Sequence, residues 1–192
     1  MNVVFRNCQL IGVWLTNPLM FKNDPKSAKY RVRFVFDPKD PENQKAMEAA
    51  KDLMNKIIED NNNSKKPKPV NPLVFEEYEN NPDLIVLDAY VKASDRNGNF
   101  IPVEELVYFV DPSAKNPLPP SYFRNGDIVN IEVQFRKYDT PNLGLSRRLW
   151  AMQFVKRSFV VSFGAVGDPI SSEDEDIDSM PNDFETSTPG DF

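Results

Sequence analysis

The stretch "NGDIVNIEVQFRKYDTPNLGLSRRLWAMQFVKR", residues 125–157, decides the fold. Successive side chains of a β-strand point to opposite faces, so residues two apart share a face. In the first arm Val129, Ile131, Val133 and Phe135 fall on one apolar face, while Asn130, Gln134, Arg136 and Tyr138 fall on the other. "DTPNLGLS" turns the chain and "RRLWAMQFVKR" returns it, so the segment reads as a pair of strands. On the returning arm Trp150 shares parity with Met152 and Phe154, which suits a core position, yet it closely follows Arg147 and Arg148.

The same alternation recurs upstream. Residues 3–15 read as a strand, with Val3, Phe5, Ile11, Val13 and Leu15 as core positions. "KYRVRFVF" (29–36) puts Tyr30, Val32, Phe34 and Phe36 on one face and Lys29, Arg31 and Arg33 on the other. "LIVLDAYVKA" (84–93) and "FIPVEELVYFVD" (100–111) are strand-like, and Asn97-Gly98 between them signals a hairpin. "PSAKNPLPPSYFRNG" (112–126) reads as an irregular connection. One segment has a helical period. In "DPENQKAMEAAKDLMNKIIED" (40–60) Asp40 can cap, Pro41 suits the first turn, and Ala46, Met47, Ala50, Leu53, Met54, Ile57 and Ile58 form an apolar stripe. Such a stripe is packing surface far more often than a ligand groove. The basic, proline-punctuated "NNNSKKPKPVNP" (61–72) reads as a flexible loop. Five or six strands with one helix inserted after the second make an all-β barrel or sandwich, not a βαβ alternation.

Composition narrows the function. Histidine is absent and Cys8 is the single cysteine, which removes the commonest general base, the usual zinc ligand sets and any internal disulfide. No glycine-rich phosphate loop and no calcium-type D-x-D loop appears, and Asp88, Asp95, Asp111 and Asp127 share no spacing that would suit a carboxylate-metal nuclease. These features point away from an enzyme and call for no cofactor or metal. No window holds about 18 uninterrupted apolar residues, so no membrane span is expected. The N-terminal run carries Arg6 and Asn7 and reads as mature protein, and the lone cysteine agrees with a reducing, cytoplasmic setting.

Charge is split along the chain. Residues 168–192 hold nine Asp or Glu and no Lys or Arg, so the net −6 divides into 23 − 20 = +3 for the body and −9 for the end. Such a polar, acidic segment cannot bury enough apolar surface to order itself and is expected to be disordered. Within the body, residues 22–39 hold six Lys or Arg against two Asp, and residues 136–157 hold six against the single Asp139. Aromatic residues interleave with both groups. Cations that track phosphates and rings that stack on unpaired bases are the two ingredients of single-strand binding. The contacts expected are Lys29, Arg31, Arg33, Arg136, Tyr138, Arg147, Arg148 and Trp150, with Lys92 and Lys156 next. Taken alone, alternating arginines on a half-exposed strand are usually a solvated face. The acidic segment, with Glu173, Asp174, Glu175 and Asp176 and a closing Asp191-Phe192, can compete for a cationic groove and offers a ring beside a carboxylate to a basic partner pocket.

Residues 125–157 resemble the closing hairpin of the bacteriophage single-stranded DNA-binding proteins with an OB fold, through Gly126, Val129, Phe135, Tyr138, Gly144, Leu149, Ala151 and Gln153. "KYRVRFVFDPKD" is similar to another strand of that family through Tyr30, Val32, Phe34, Pro38 and Lys39. An acidic tail ending in Phe also resembles that functional class. The doubled Arg147-Arg148 and the basic loop at 61–72 depart from the pattern. The resemblance implies a five-stranded OB barrel over residues 1–167 and a disordered tail over 168–192. It further implies a protein that coats single-stranded DNA without sequence preference in phage replication, recombination and repair, within the host cytoplasm. The tail would recruit replication proteins such as a polymerase, helicase or primase, and a homodimer is compatible with it. The competing reading is a β-rich structural or adaptor protein that self-assembles through its basic strands and acidic tail.

Overall fold

The computed structural model describes residues 1–158; the expected acidic tail, with Glu173–Asp176 and Asp191-Phe192, lies outside the described residues. Seven strands and one helix run in the order β1 (Asn2–Leu19), β2 (Lys29–Phe36), α1 (Pro41–Asn62), β3 (Glu76–Tyr78), β4 (Asn81–Lys92), β5 (Tyr108–Val110), β6 (Ile128–Tyr138) and β7 (Gly144–Lys156). The sheet order is β3-β4-β2-β1-β6-β7-β5, and a further contact between β4 and β7 closes β1, β2, β4, β7 and β6 into a five-stranded barrel. That closing contact is a single parallel bridge, Tyr90 to Arg148. The expected all-β barrel with a helix after the second strand is therefore what forms.

The interior is filled by the alternate residues of each strand. Val32, Phe34 and Phe36 of β2, Leu87 and Ala89 of β4, and Val129, Ile131, Val133 and Phe135 of β6 are all buried. Phe5, Phe34 and Phe36 make a ring cluster with centroids 4.7–6.2 Å apart. Strand β1 departs from the simple alternation. Its early part pairs with β6 and its later part with β2, and to bend between them it shifts register between Phe5 and Cys8 and again between Leu10 and Gly12. Asn7 takes a positive φ of 51° at the first irregularity. An extra residue reverses which side chains face inward. Cys8 and Leu10 consequently join Phe5 and Leu15 in the core, whereas Ile11, expected there, is only half-buried.

Helix α1 starts as expected. The Asp40 carboxylate accepts from the backbone N–H groups of Glu42 (2.9 Å) and Asn43 (3.3 Å), and Pro41 occupies the first turn. Ala46, Ala50, Met54 and Ile57 are buried, with Met47 and Leu53 packed at the edge of the core. Buried Asn43 ties the helix to the bent strand: its Nδ2 donates to the carbonyls of Arg6 and Asp37, each at 3.1 Å, and its Oδ1 accepts from the Arg6 N–H at 2.7 Å.

Two connections differ from expectation. The basic segment expected as a flexible loop is fastened to the β6–β7 turn, for Asn71 N–H donates to Leu143 O (2.8 Å), Leu143 N–H to Pro69 O (2.9 Å) and Lys68 Nζ to Asp139 O (2.8 Å). The hairpin expected from Asn97-Gly98 is also abbreviated. Asp95 holds the turn by accepting from Asn97 and Asn99 N–H groups, but only Ser94 and Phe100 pair across it. Pro102 lacks a donor and ends the pairing. Residues 103–105 then form a 3-10 turn, and β5 joins β7 in parallel instead of returning along β4.

The end of β7 is locked. Asp127, whose side chain is 2% exposed, accepts from Arg157 Nε at 3.0 Å and from the Arg124 N–H at 2.9 Å. The Arg157 guanidinium lies 4.9 Å from the Tyr122 ring centre. Among the described residues no helix is long and apolar enough to cross a membrane.

Because buried Asn43 makes three hydrogen bonds to the backbone of Arg6 and Asp37, Asn43→Ala is expected to lower unfolding free energy by about 2–3 kcal/mol. Urea denaturation followed by circular dichroism measures it, with an unchanged m-value showing that the fold itself persists.

Candidate nucleic-acid interface

Strand register assembles the site on the outside of the barrel. Trp14 lies opposite Arg31, Arg31 opposite Tyr90, Tyr90 bridges to Arg148, and Arg148 lies opposite Gln134. One row therefore crosses all five barrel strands. A second rung, Lys29 opposite Lys92, runs beside it, and the Lys29 ammonium sits 4.5 Å from the Tyr90 ring centre. Like charges directly opposite on a sheet cost stability.

The rings and cations on this face are paired in advance. The Arg31 guanidinium lies 5.5 Å from the Trp14 ring and the Arg148 guanidinium 5.3 Å from the Trp150 ring. Trp14 covers Gly12, where an added Cβ would sit 2.5 Å from the indole. Arg31 also forks onto Asp88, with Nε–Oδ1 at 3.0 Å and Nη2–Oδ2 at 2.6 Å. Arg33 Nε approaches the same carboxylate at 3.8 Å and, although buried, has no hydrogen-bond partner among the described residues.

Trp150 reaches this surface through a bulge. Glu132 pairs with Ala151 and Val133 with Leu149, which leaves Trp150 as the extra residue on β7. Without the bulge its parity with Met152 and Phe154 would place it in the core. Leu149, Met152 and Phe154 are buried instead, and Trp150 is half-exposed against Tyr108, with ring centres 6.3 Å apart. Tyr108 is 66% exposed.

Burial, and then the neighbouring Arg136, lower the Arg148 guanidinium from its ordinary value. Arginine nevertheless stays protonated in water at neutral pH, so Arg136 and Arg148 form a pair of adjacent cations. Tyr90 is raised, chiefly by burial and against the opposing pull of Arg147, and so remains a neutral phenol.

Of the residues singled out from sequence, Lys29, Arg31, Arg33, Lys92, Arg136, Arg148 and Trp150 come together on this face. The phenol end of Tyr138 covers Gly144, with its hydroxyl accepting from Asn71 Nδ2 at 3.0 Å. Arg147 has the opposite parity to Arg148. It lines a cavity of about 260 Å³ with Asn71, Leu73, Glu76, Tyr138 and Leu145, at the border of the main face. Lys156 pairs with Ile128 at the far end of β7, eight residues or about 26 Å from Arg148. Trp14, Tyr90 and Tyr108 were not anticipated. Trp14 and Tyr90 were legible as rings of outward parity beside Val13 and Val91, whereas Tyr108 depended on the unexpected pairing of β5.

No family model and no curated protein matches the sequence. Solved structures do match. The single-stranded DNA-binding protein gp2.5 of bacteriophage T7 superposes with a TM-score of 0.60 at 14% identity, covering 94% of this chain and 100% of that one. The single-stranded DNA-binding protein of bacteriophage Enc34, in complex with single-stranded DNA, gives 0.53 at 13% identity over 82% and 87% of the two chains. The chain has the fold of phage single-stranded DNA-binding proteins. In this OB barrel the second and third barrel strands are β2 and β4, the strands that carry Lys29, Arg31, Arg33, Tyr90 and Lys92.

The position of the Trp14 ring depends on Gly12 having no side chain. Gly12→Ala is expected to lift the indole from the sheet and change its near-ultraviolet circular dichroism, while far-ultraviolet bands stay unchanged. Performing the comparison in a Trp150→Phe background assigns the change to Trp14.

Proposed function

We propose that this chain binds single-stranded DNA without sequence preference along the row Trp14–Arg31–Tyr90–Arg148 and the flanking Lys29, Lys92, Arg33, Arg136 and Trp150. The observation that carries the reading is the continuity of cations and rings across the closing seam of the barrel. Arginine and lysine neutralise phosphates wherever they fall along a strand, and aromatic faces accept any base. Oligonucleotide binding on the face of the second and third strands is common among OB folds. The fold shared with phage proteins that bind single-stranded DNA supports the same reading.

The acidic residues 168–192 extend it. A polyanion tethered to a cationic face competes with DNA at high effective concentration, and once displaced it is available to the basic pockets of other proteins. A protein of this kind protects unwound strands and gathers polymerase, helicase or primase during phage replication, recombination and repair.

Fluorescence anisotropy with a labelled dT oligomer tests the binding. Affinity is expected to fall with salt, and Trp150→Ala to cost about 1–3 kcal/mol from lost stacking. Arg148→Ala should weaken binding and make the salt dependence shallower by about 0.7 in slope, the share of one phosphate on a single strand. Deleting residues 168–192 should tighten binding most at low salt. Equal affinity with and without the tail across the salt range would remove tail competition from the reading.

A further inference from the structure

Among the described residues Asp88 is the one carboxylate that pairs with two cations, and it stands in the middle of the cationic face. It lies on β4 directly opposite Arg33, one alternation from Tyr90. Its side chain is only 22% exposed, and its two oxygens take the Nε and Nη2 donors of Arg31 in a fork. A phosphate diester presents two oxygens to arginine in the same manner. Any phosphate that uses Arg31 must therefore displace this carboxylate or share the guanidinium with it. Arg33, by contrast, only approaches Asp88, at 3.8 Å, and makes no hydrogen bond to it, and its side chain is 44% exposed, so the outer end of its guanidinium is open to an incoming anion.

A structural role explains the arrangement poorly. Arg31 and Arg33 are roughly one-third and two-fifths exposed, at 34% and 44%. At that exposure the long Arg33 contact adds little to stability, and the forked Arg31 pair adds only modestly. The larger effect of Asp88 is on the face itself, where it cancels one of the two arginine charges.

We propose that Asp88 is a resident counter-anion that DNA phosphate has to displace, and that it sets the affinity of the face below what its cations alone would reach. The inference rests on the single-strand reading above. A phosphate first engages Arg33, then exchanges with Asp88 on Arg31, and the carboxylate left beside it speeds release. Trp14 holds the Arg31 guanidinium from its other side during this exchange.

The test compares the full-length protein with Asp88→Asn and Asp88→Glu by anisotropy on a labelled dT oligomer from 50 to 400 mM salt, after thermal melts confirm that each variant is folded. Asparagine keeps the shape and one acceptor for Arg31 but removes the charge. Asp88→Asn is expected to bind about 3- to 10-fold tighter at the lowest salt, as removal of one charge a few ångströms away would give, and the gain should shrink as salt rises. Its salt slope should steepen by about 0.7, the signature of one more neutralised phosphate. Asp88→Glu, which retains the charge, should keep the slope of the original protein. Equal or weaker binding by Asp88→Asn would overturn the inference alone, because Asp88 would then be holding Arg31 in place for DNA. An equal gain in Asp88→Glu would also overturn it, by pointing to packing. If the original protein fails to bind the oligomer at low salt, the single-strand reading falls and takes the inference with it.

Discussion

Closure of the sheet between β4 and β7 is the constraint on which the surface of this molecule depends. Tyr90 and Arg148 meet there in one parallel bridge, joining strands separated by more than fifty residues of chain. Closing a barrel removes open edges and obliges alternate residues to fill the inside. The aromatic core around Phe5, Phe34 and Phe36 satisfies that obligation. What is left over on the outside, by the same alternation, is cationic and aromatic. Without the seam, the arginines of β2 and those of β7 would belong to different surfaces.

That surface is built against stability in several places. Lys29 faces Lys92, Arg136 adjoins Arg148, and Trp14 and Trp150 sit partly in water. Each arrangement carries a cost that a purely structural strand would avoid. The rings are nonetheless ordered before any ligand arrives. Trp14 is seated on Gly12 and Tyr138 on Gly144, and guanidinium groups lie against both tryptophans. Ordering side chains in advance lowers the entropy lost on binding. Cations and rings are concentrated on one side of the barrel, while the far end of β7 is tied down by Asp127 and Arg157.

The segment at 61–72 illustrates how composition can mislead. Asparagine, lysine and proline in succession suit a mobile loop, and nothing within the segment reveals a partner. Its hydrogen bonds run to Asp139 and Leu143, in the turn of a hairpin about seventy residues away. The effect is to support the turn and to bring Asn71 onto Tyr138. A local pattern has no access to a distant backbone that completes its hydrogen bonds.

Periodicity and capping chemistry were enough to locate most of the strands, helix α1 with its Asp40 cap, and the inward faces of β2 and β6. These depend on neighbours in sequence, and a period of two or 3.6 records them directly. The acidic end and the basic strands were equally plain from composition. Tertiary structure alone decided which cations share a face, because that depends on register between strands. It sent Trp150 outward, since a bulge is defined by a mismatch with the partner strand. It exchanged Ile11 for Cys8 and Leu10 in the core by the same means. It also gave Arg31 and Arg33 a common carboxylate in Asp88, fifty-five or more residues further along the chain. One strand's own alternation cannot report its offset from another, and that offset is where the surface was determined.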